Sequence, residues 1–344
     1  MRRLYETRHI PAARRLAAWL LAAVFSLSLC AQSAWAAPAV SAERTVIPLG
    51  KAVGIKLFAA GVLVVGLADG DTPARTCGLR QGDIITAMDG TAIDSTEQVQ
   101  SLLAEAAGQE TTLTVRRGSS TLALSACARP GAEGAWQLGA WIRDSMAGIG
   151  TLTYYDPATG QYGALGHGIT DVDTAQLMPL ASGSIMETTV KAVKKGRKGD
   201  PGELKGDFSV QRDVGTVTVN SDGGIFGIVA DGEFLSGGTP VPVATAQQVK
   251  TGHATILATI SGSDTAEYQV EIVRLYGADE PTRNMLLRIT DPRLLSATGG
   301  IVQGMSGSPI LQNGRIVGAV THVLLNDPTR GYGIFIGNML DMAG

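Results

Sequence analysis

Gly300–Ile310 reads GIVQGMSGSPI, and its glycines, paired serines and closing proline set the direction for the whole chain. Glycine adopts the left-handed backbone of tight turns at no steric cost, so a turn accounts for the glycines. It does not account for the two hydroxyls set among them. Serine is a weak nucleophile until a base takes its proton, and the oxyanion formed on attack needs preorganised N–H donors with nothing bulky before them. Gly304-Met305-Ser306-Gly307-Ser308-Pro309 supplies both. Ser306 would attack, and the backbone N–H groups of Gly304 and Ser306 would form the oxyanion hole. Ile310 and Leu311 then carry the chain into an apolar, strand-like run.

A nucleophile of this kind needs a base. His9 lies near the N-terminus, His253 in a polar Lys-Thr-Gly-His stretch, and His322 at the end of the apolar run Gly318-Ala319-Val320-Thr321. His167 sits in GALGHGITD, residues 163–171, between glycines after a strand-like run. A lone histidine is more often structural than catalytic. The glycine cage makes His167 the leading base under triad logic, with His322 as the fallback. For the acid that orients the imidazole, Asp291 precedes Pro292 at a strand end and falls between His167 and Ser306 in order. Asp-Pro also simply initiates turns, and Asp171 and Asp327 are alternatives.

The chain has 344 residues, with 44 glycines and 5% aromatic residues. That composition suits turn-rich, mainly β structure. A net charge of −3 gives no sign of a nucleic-acid partner. Arg2, Arg3, Arg8, Arg14 and Arg15 precede the apolar stretch LAAWLLAAVFSLSLC, residues 16–30, and Ala34-Trp35-Ala36 has the small-x-small form of a cleavage site. Residues 1–36 therefore read as a signal peptide or membrane anchor that sends the remainder outward. Residues 37–51, with Pro38 and Pro48, read as a linker. Cys77 and Cys127 are left as a disulfide candidate or two free thiols. No Cys/His spacing fits a metal and no Walker loop occurs, so no cofactor is expected.

From residue 52 to 128 the text gives a strand at Gly61–Val65, a short helix at Ala74–Leu79 and a strand at Gly82–Met88 turning at Asp89-Gly90. A helix follows, capped by Ser95 with Gln98 in capping-box position, then a hairpin about Gly118. This order, with Ala74…Gly78-Leu79…Gly82-Asp83-Ile84-Ile85…Asp89-Gly90, resembles a PDZ domain. The resemblance implies a glycine-containing loop that binds a peptide carboxylate, at Val53-Gly54-Ile55-Lys56-Leu57, with the peptide added as an extra strand. After the Pro/Gly-rich boundary at 128–135, residues 129–344 are short β runs with turn signals, as in a sandwich or barrel.

The serine loop resembles that of chymotrypsin-like peptidases, with Met305 where those carry Asp and Ser308 where they carry Gly, so the buried ion pair of the digestive enzymes lacks its acid. The run from Thr290-Asp291-Pro292 through Gly304-Met305-Ser306-Gly307-Ser308-Pro309 to Asn326-Asp327-Pro328-Thr329, together with Gly163-Ala164-Leu165-Gly166-His167-Gly168, resembles the stage IV sporulation serine peptidase family of SpoIVB type. The resemblance implies an N-terminal membrane segment, a PDZ domain of β strands and two helices, and a chymotrypsin-like double β-barrel. It carries the catalytic roles to His167, Asp291 and Ser306. It also implies a signalling endopeptidase that cleaves its own N-terminal region and then a membrane-bound regulator, releasing an intramembrane protease that activates a sigma factor. Such enzymes act beside a membrane, in the intermembrane space of the forespore. The competing expectation is a non-catalytic PDZ adaptor on a degenerate protease scaffold. Lys191, Lys194, Lys195, Arg197, Lys198 and Lys205 read first as a solvated hairpin tip, and otherwise as a contact for anionic lipid or an acidic substrate loop.

Overall fold

The computed structural model describes residues 43–230, 232–235, 238–277 and 280–343. The segment read as a signal or anchor lies outside them, as do residues 37–42 of the expected linker. The rest of that linker includes a strand, β1 (Thr45–Pro48). Among the described residues, no helix is long and apolar enough to cross a membrane.

β2 (Ala52–Leu67) is long enough to serve two sheets. Its C-terminal part, at Val62 and Leu63, pairs with β3 (Ile84–Met88). β3 pairs with β4 (Thr91–Ala92) and β5 (Glu110–Arg117), and β5 with β6 (Ser120–Cys127). The helices α1 (Pro73–Thr76) and α2 (Thr96–Ala106) complete this unit. α2 starts as its sequence dictates: the Ser95 hydroxyl accepts the Gln98 N–H at 3.3 Å. The Gln98 side chain accepts the N–H of Asp94 at 3.0 Å, so the reciprocal half of the expected capping box is displaced by one residue. Val99 and Leu103 of α2 bury against Val62, Val64, Ile85, Leu113 and Val115. Cys77 and Cys127 are both free thiols.

β7 (Arg129–Pro130) and β8 (Trp136–Gln137) pair across the Pro/Gly-rich stretch, and the chain then enters β9 (Ala140–Asp156). β10 (Gln161–Ala164), β11 (Leu180–Lys194), β12 (Glu203–Ser221) and β13 (Gly224–Val229) follow. Their pairings run β9–β10–β13–β12–β11–β2 and return from β2 to β9, a closed ring of six antiparallel strands. β14 (Val241–Pro242) pairs with β1 on its flank. A second closed barrel is built from β15 (Gly252–Ala258), β16 (Ala266–Leu275), β17 (Met285–Ile289), β18 (Pro309–Gln312), β19 (Arg315–Leu324) and β20 (Asp327–Phe335). α3 (Pro292–Thr298) bridges β17 and the serine loop, and α4 (Ile336–Asp341) ends the fold.

Alternation explains the barrel walls. In β16 Tyr268, Val270 and Ile272 face in while Glu267, Gln269 and Glu271 stay partly or fully exposed, the period of two that a strand imposes. Val53, Ile55, Leu152, Ile185 and Ile225 fill the first barrel. Ile256, Val270, Leu287, Ile310 and Val320 fill the second. Tyr154 and Phe226 of the first meet Ile316, Ala319 and Ile334 of the second in a separate cluster, which holds the barrels together. Thr45–Gly344 thus forms one compact unit. The stretch 52–59, read from sequence as part of the PDZ domain, is barrel wall: a strand long enough to leave one sheet and enter another has no boundary to betray in its composition.

The basic turn between β11 and β12 is docked as well. Lys194 pairs with Asp200 at 2.8 Å. The N–H groups of Gly196 and Gly199 donate to the carbonyls of Thr298 and Leu325 on the second barrel.

Candidate active site

Where the barrels face each other lies a cleft of about 850 Å³, lined by His167, Ser306, His322, Gly304, Asp222 and Arg283 among others. β10 ends at Ala164, and Leu165 and Gly166 both turn left-handed, with φ of 69° and 67°. That reversal delivers His167. Leucine resists this backbone by about 1–3 kcal/mol, and its buried side chain in the first-barrel core holds it there. The Asn220 side chain staples the loop to the end of β12. It accepts the Ile169 N–H at 2.8 Å and donates to the carbonyls of Ile169 and Met178 at 3.0 and 2.9 Å. His167 Nδ1 lies 2.8 Å from the Gly168 carbonyl oxygen. A carbonyl only accepts, so Nδ1 carries the proton and Nε2 is left with the basic lone pair.

The serine loop is braced by the other barrel. The Thr151 hydroxyl of β9 donates to the Gly304 carbonyl at 2.7 Å, and the Thr151 N–H to the Ser306 carbonyl at 3.0 Å. Gly304 and Gly307 are both left-handed, each with φ of 97°. At Gly307 a Cβ would stand 2.0 Å from the Thr151 carbonyl oxygen, so only glycine fits. The N–H groups of Gly304 and Ser306 have no acceptor among the described residues. The Ser306 hydroxyl donates to the Thr321 carbonyl at 2.7 Å. Ser308 is fully buried and its hydroxyl has no partner among the described residues. Met305 is fully buried in the second-barrel core, where an apolar side chain belongs.

The structure brings His167, Ser306 and Gly304 into one cleft and gives Asp291 other work. Asp291 caps α3: its carboxylate accepts the backbone N–H of Arg293 at 2.8 Å and pairs with the Arg293 guanidinium at 2.8 Å. Arg293 holds that carboxyl well below the usual range. Asp291 makes no hydrogen bond to His167. The sequence alternatives are engaged too. Asp171 is fully buried, paired with Arg143 and bonded to its own turn at Asp173 and Thr174. Asp327 holds Thr329 and Arg330.

His322, the fallback base, is the neighbour sequence reasoning undervalued. Its ring centroid is 4.9 Å from that of His167, at 38° between planes. Burial pushes His322 down to about 4, helped by His167 and by Arg283. Burial lowers His167 as well, against the pull of the Gly168 carbonyl. Both rings are neutral at neutral pH.

The expected PDZ loop also moves. Val53, Gly54, Ile55, Lys56 and Leu57 lie inside β2, paired on one side with β9 and on the other with β11, so no edge remains there for a peptide. The groove of this unit, about 250 Å³, runs between Val99, Gln100 and Leu103 of α2 and the stretch Gln137–Ile142. There Ala140, Trp141 and Ile142 pair with β2 on one side, and no strand covers the other among the described residues. The usable signal was Leu138-Gly139-Ala140-Trp141, a second glycine-punctuated apolar run, directly after the Pro/Gly boundary.

The description "SpoIVB peptidase S55" matches residues 134–340, more than half of the chain, and a PDZ domain description matches residues 64–117. The chain belongs to the SpoIVB peptidase S55 family. It is a serine peptidase that carries a PDZ domain. No curated protein matches it. Among solved structures, the PDZ domain of the SdrC-like protein Lmo2051 from Listeria monocytogenes is 22% identical over 24% of this chain and 87% of its own, with a TM-score of 0.22. The active form of the Rv3671c protease from M. tuberculosis is 18% identical over 58% of this chain and 73% of its own, TM-score 0.31. An inactive form of Rv3671c is 18% identical over 57% of this chain and 82% of its own, TM-score 0.32. The assignment to the S55 family rests on the family match alone.

Proposed function

We propose that this S55 peptidase is an exported endopeptidase of sporulation signalling, with Ser306 as nucleophile and His167 as base. The observation that carries the chemistry is the single cleft holding the Ser306 hydroxyl, the Nε2-basic tautomer of His167 and the free N–H groups of Gly304 and Ser306. Ser306 leaves its resting bond to the Thr321 carbonyl and gives its proton to His167 Nε2 as Oγ bonds to the scissile carbon. The carbonyl electrons move onto oxygen, toward the N–H groups of Gly304 and Ser306. His167 then hands the proton to the departing amine, and water repeats the sequence on the acyl-enzyme.

The biological setting comes from family membership and the N-terminal sequence. The enzyme works outside the cytoplasmic membrane, in the intermembrane space of the forespore. It cleaves its own N-terminal region and then a membrane-bound regulatory protein, so that an intramembrane protease activates a sigma factor. A peptide in the α2 groove engages the PDZ domain. The exposed apolar side chains of Val172 and Leu325 at the cleft, 81% and 57% accessible, suit an extended substrate with apolar side chains.

Labelling with a fluorophosphonate tests the chemistry. The full chain is expected to take up one equivalent at Ser306, Ser306→Ala none, and Ser308→Ala close to the wild-type amount. Labelling that persists in Ser306→Ala overturns the assignment, and a wild-type chain that never labels returns the adaptor reading.

A further inference from the structure

Six cations crowd residues 191–205: Lys191, Lys194, Lys195, Arg197, Lys198 and Lys205. Only Asp200 and Glu203 oppose them there, in a chain whose net charge is −3. All six are exposed. Lys194 pairs with Asp200. The other five make no ion pair or side-chain hydrogen bond among the described residues. Water alone can solvate such a tip, but it gives no reason for the way this one is fastened. The N–H groups of Gly196 and Gly199 hold it to the Thr298 and Leu325 carbonyls at 2.8 and 2.7 Å. Arg197 and Asp200 exchange backbone hydrogen bonds across the turn at 2.8 and 2.9 Å. On the β12 side the Gly202 carbonyl accepts the Gln303 N–H at 2.8 Å, and the Leu204 N–H donates to the Gln303 carbonyl at 2.9 Å. Gln303 immediately precedes Gly304 of the oxyanion hole. Pro201, Gln303 and Leu325 all line the cleft. The basic turn therefore continues the wall of the cleft on a hydrogen-bonded frame.

Like charges held on a fixed frame repel one another, and an anion brought among them relieves that repulsion. Resting on the reading of this cleft as a peptidase site, we propose that the β11–β12 turn is a specificity surface for acidic side chains of the substrate. The substrate class is an extended polypeptide segment with apolar residues at the cut and a run of Asp or Glu to one side of them. A polypeptide is favoured over a lipid headgroup by where the turn is fastened. Its bonds run to the serine loop through Gln303 and to the cleft wall at Leu325. A chain lying in the cleft against Val323 and Leu325 passes the turn that carries Lys195, Arg197 and Lys198. Exposed charge pairs are weak one at a time, so the cations act as a group. They act on capture rather than on the chemical step: acidic flanks lower KM and leave kcat unchanged.

The test is the affinity of synthetic peptides for the full chain carrying Ser306→Ala, which binds without cutting, read by fluorescence anisotropy. The peptides share the apolar centre Val-Leu-Ala-Val and carry a block of Glu before it, a block of Glu after it, Ser on both sides, or Lys on both sides. At about 50 mM NaCl one of the Glu peptides is expected to bind about tenfold tighter than the Ser peptide, the size that a few exposed charge pairs supply together. That advantage is expected to vanish at about 0.5 M NaCl, where screening shortens the reach of exposed charges. Lys195→Glu, Arg197→Glu and Lys198→Glu made together are expected to turn the preference to the Lys peptide. Melting curves check that this variant folds; if it does not, the three serine substitutions decide instead, by bringing the Glu and Ser peptides level. Equal affinities for the Glu and Ser peptides, no binding of any peptide, or a Glu preference that persists in the variant overturns the inference. So does a loss confined to sedimentation with vesicles of about one-third phosphatidylserine, because the partner is then a lipid surface. Fluorophosphonate labelling of the wild-type chain is read in parallel. Peptides without preference on a chain that labels at Ser306 overturn this inference alone, whereas a chain that never labels overturns the peptidase reading and this inference with it.

Discussion

At Gly307 a single methyl group decides whether the serine loop forms. The left-handed φ of 97° and the 2.0 Å approach to the Thr151 carbonyl act together, so Gly307→Ala is expected to abolish labelling and lower the melting temperature; strained backbone alone costs about 1–3 kcal/mol. Asp291 behaves oppositely. Asp291→Asn loses the charge on the α3 cap and its pair with Arg293, so it should destabilise the fold by about 1–3 kcal/mol while labelling proceeds near the wild-type rate. Because the folded carboxyl titrates below its ordinary value, its stabilisation is complete at neutral pH and fades as pH falls below about 4. The gap in melting temperature between wild type and variant should therefore be smaller at pH 3 than at pH 7. For the base, burial lowers His167, so the acid limb of the labelling profile is expected below about pH 6.5. The nucleophile loop was legible because glycine and serine declare their reasons locally. The acid was not: an aspartate before proline caps a helix or orients an imidazole with the same letters. His322 was hidden for another cause, since only the pairing of β19 within the second barrel and the closure of the first bring it to His167.

β9 shows what an element adds. One strand of 17 residues lines the α2 groove at Ala140–Ile142 and supports the Ser306 loop at Thr151. The two sites are joined by continuous hydrogen-bonded strand rather than by a linker. Thr151→Val removes the hydroxyl but keeps the shape, leaving the Gly304 carbonyl unpaired in a buried place. A loss of about 1.4 kcal/mol in loop placement corresponds to a tenfold slower reaction. The expected result is labelling slowed about tenfold with circular dichroism unchanged; an unchanged rate would mean that the Thr151 N–H contact alone places the loop. The helices and strands of the PDZ unit were legible from caps and alternation. The choice between Gly54 and Gly139 as its peptide-side glycine was not, because both sit in similar apolar runs and only strand pairing separates a covered edge from an open one.

At the scale of the whole molecule, sequence suggests two beads, PDZ then peptidase, cut near residue 128. The pairings describe a PDZ unit that interrupts the first barrel: β2 enters it and β9 leaves it, while the N-terminal portion of β2 closes the ring between β9 and β11. A fragment 129–344 therefore lacks one of six barrel strands and exposes Leu152, Ile185 and Ile225, which pack with Val53, Ile55 and Leu57. Burying each such side chain is worth about 1.5–3 kcal/mol, and total stability is commonly about 5–15 kcal/mol, so the missing strand is enough to unfold the fragment. The expected outcome is that residues 43–344 melt in one cooperative transition and label at Ser306, while residues 129–344 show neither a transition nor labelling. Adding residues 43–60 as a separate peptide supplies the missing strand and should restore labelling in part. A fragment 129–344 that folds and labels unaided would mean that the peptidase barrel closes without β2, and the PDZ unit would then be a separable appendage.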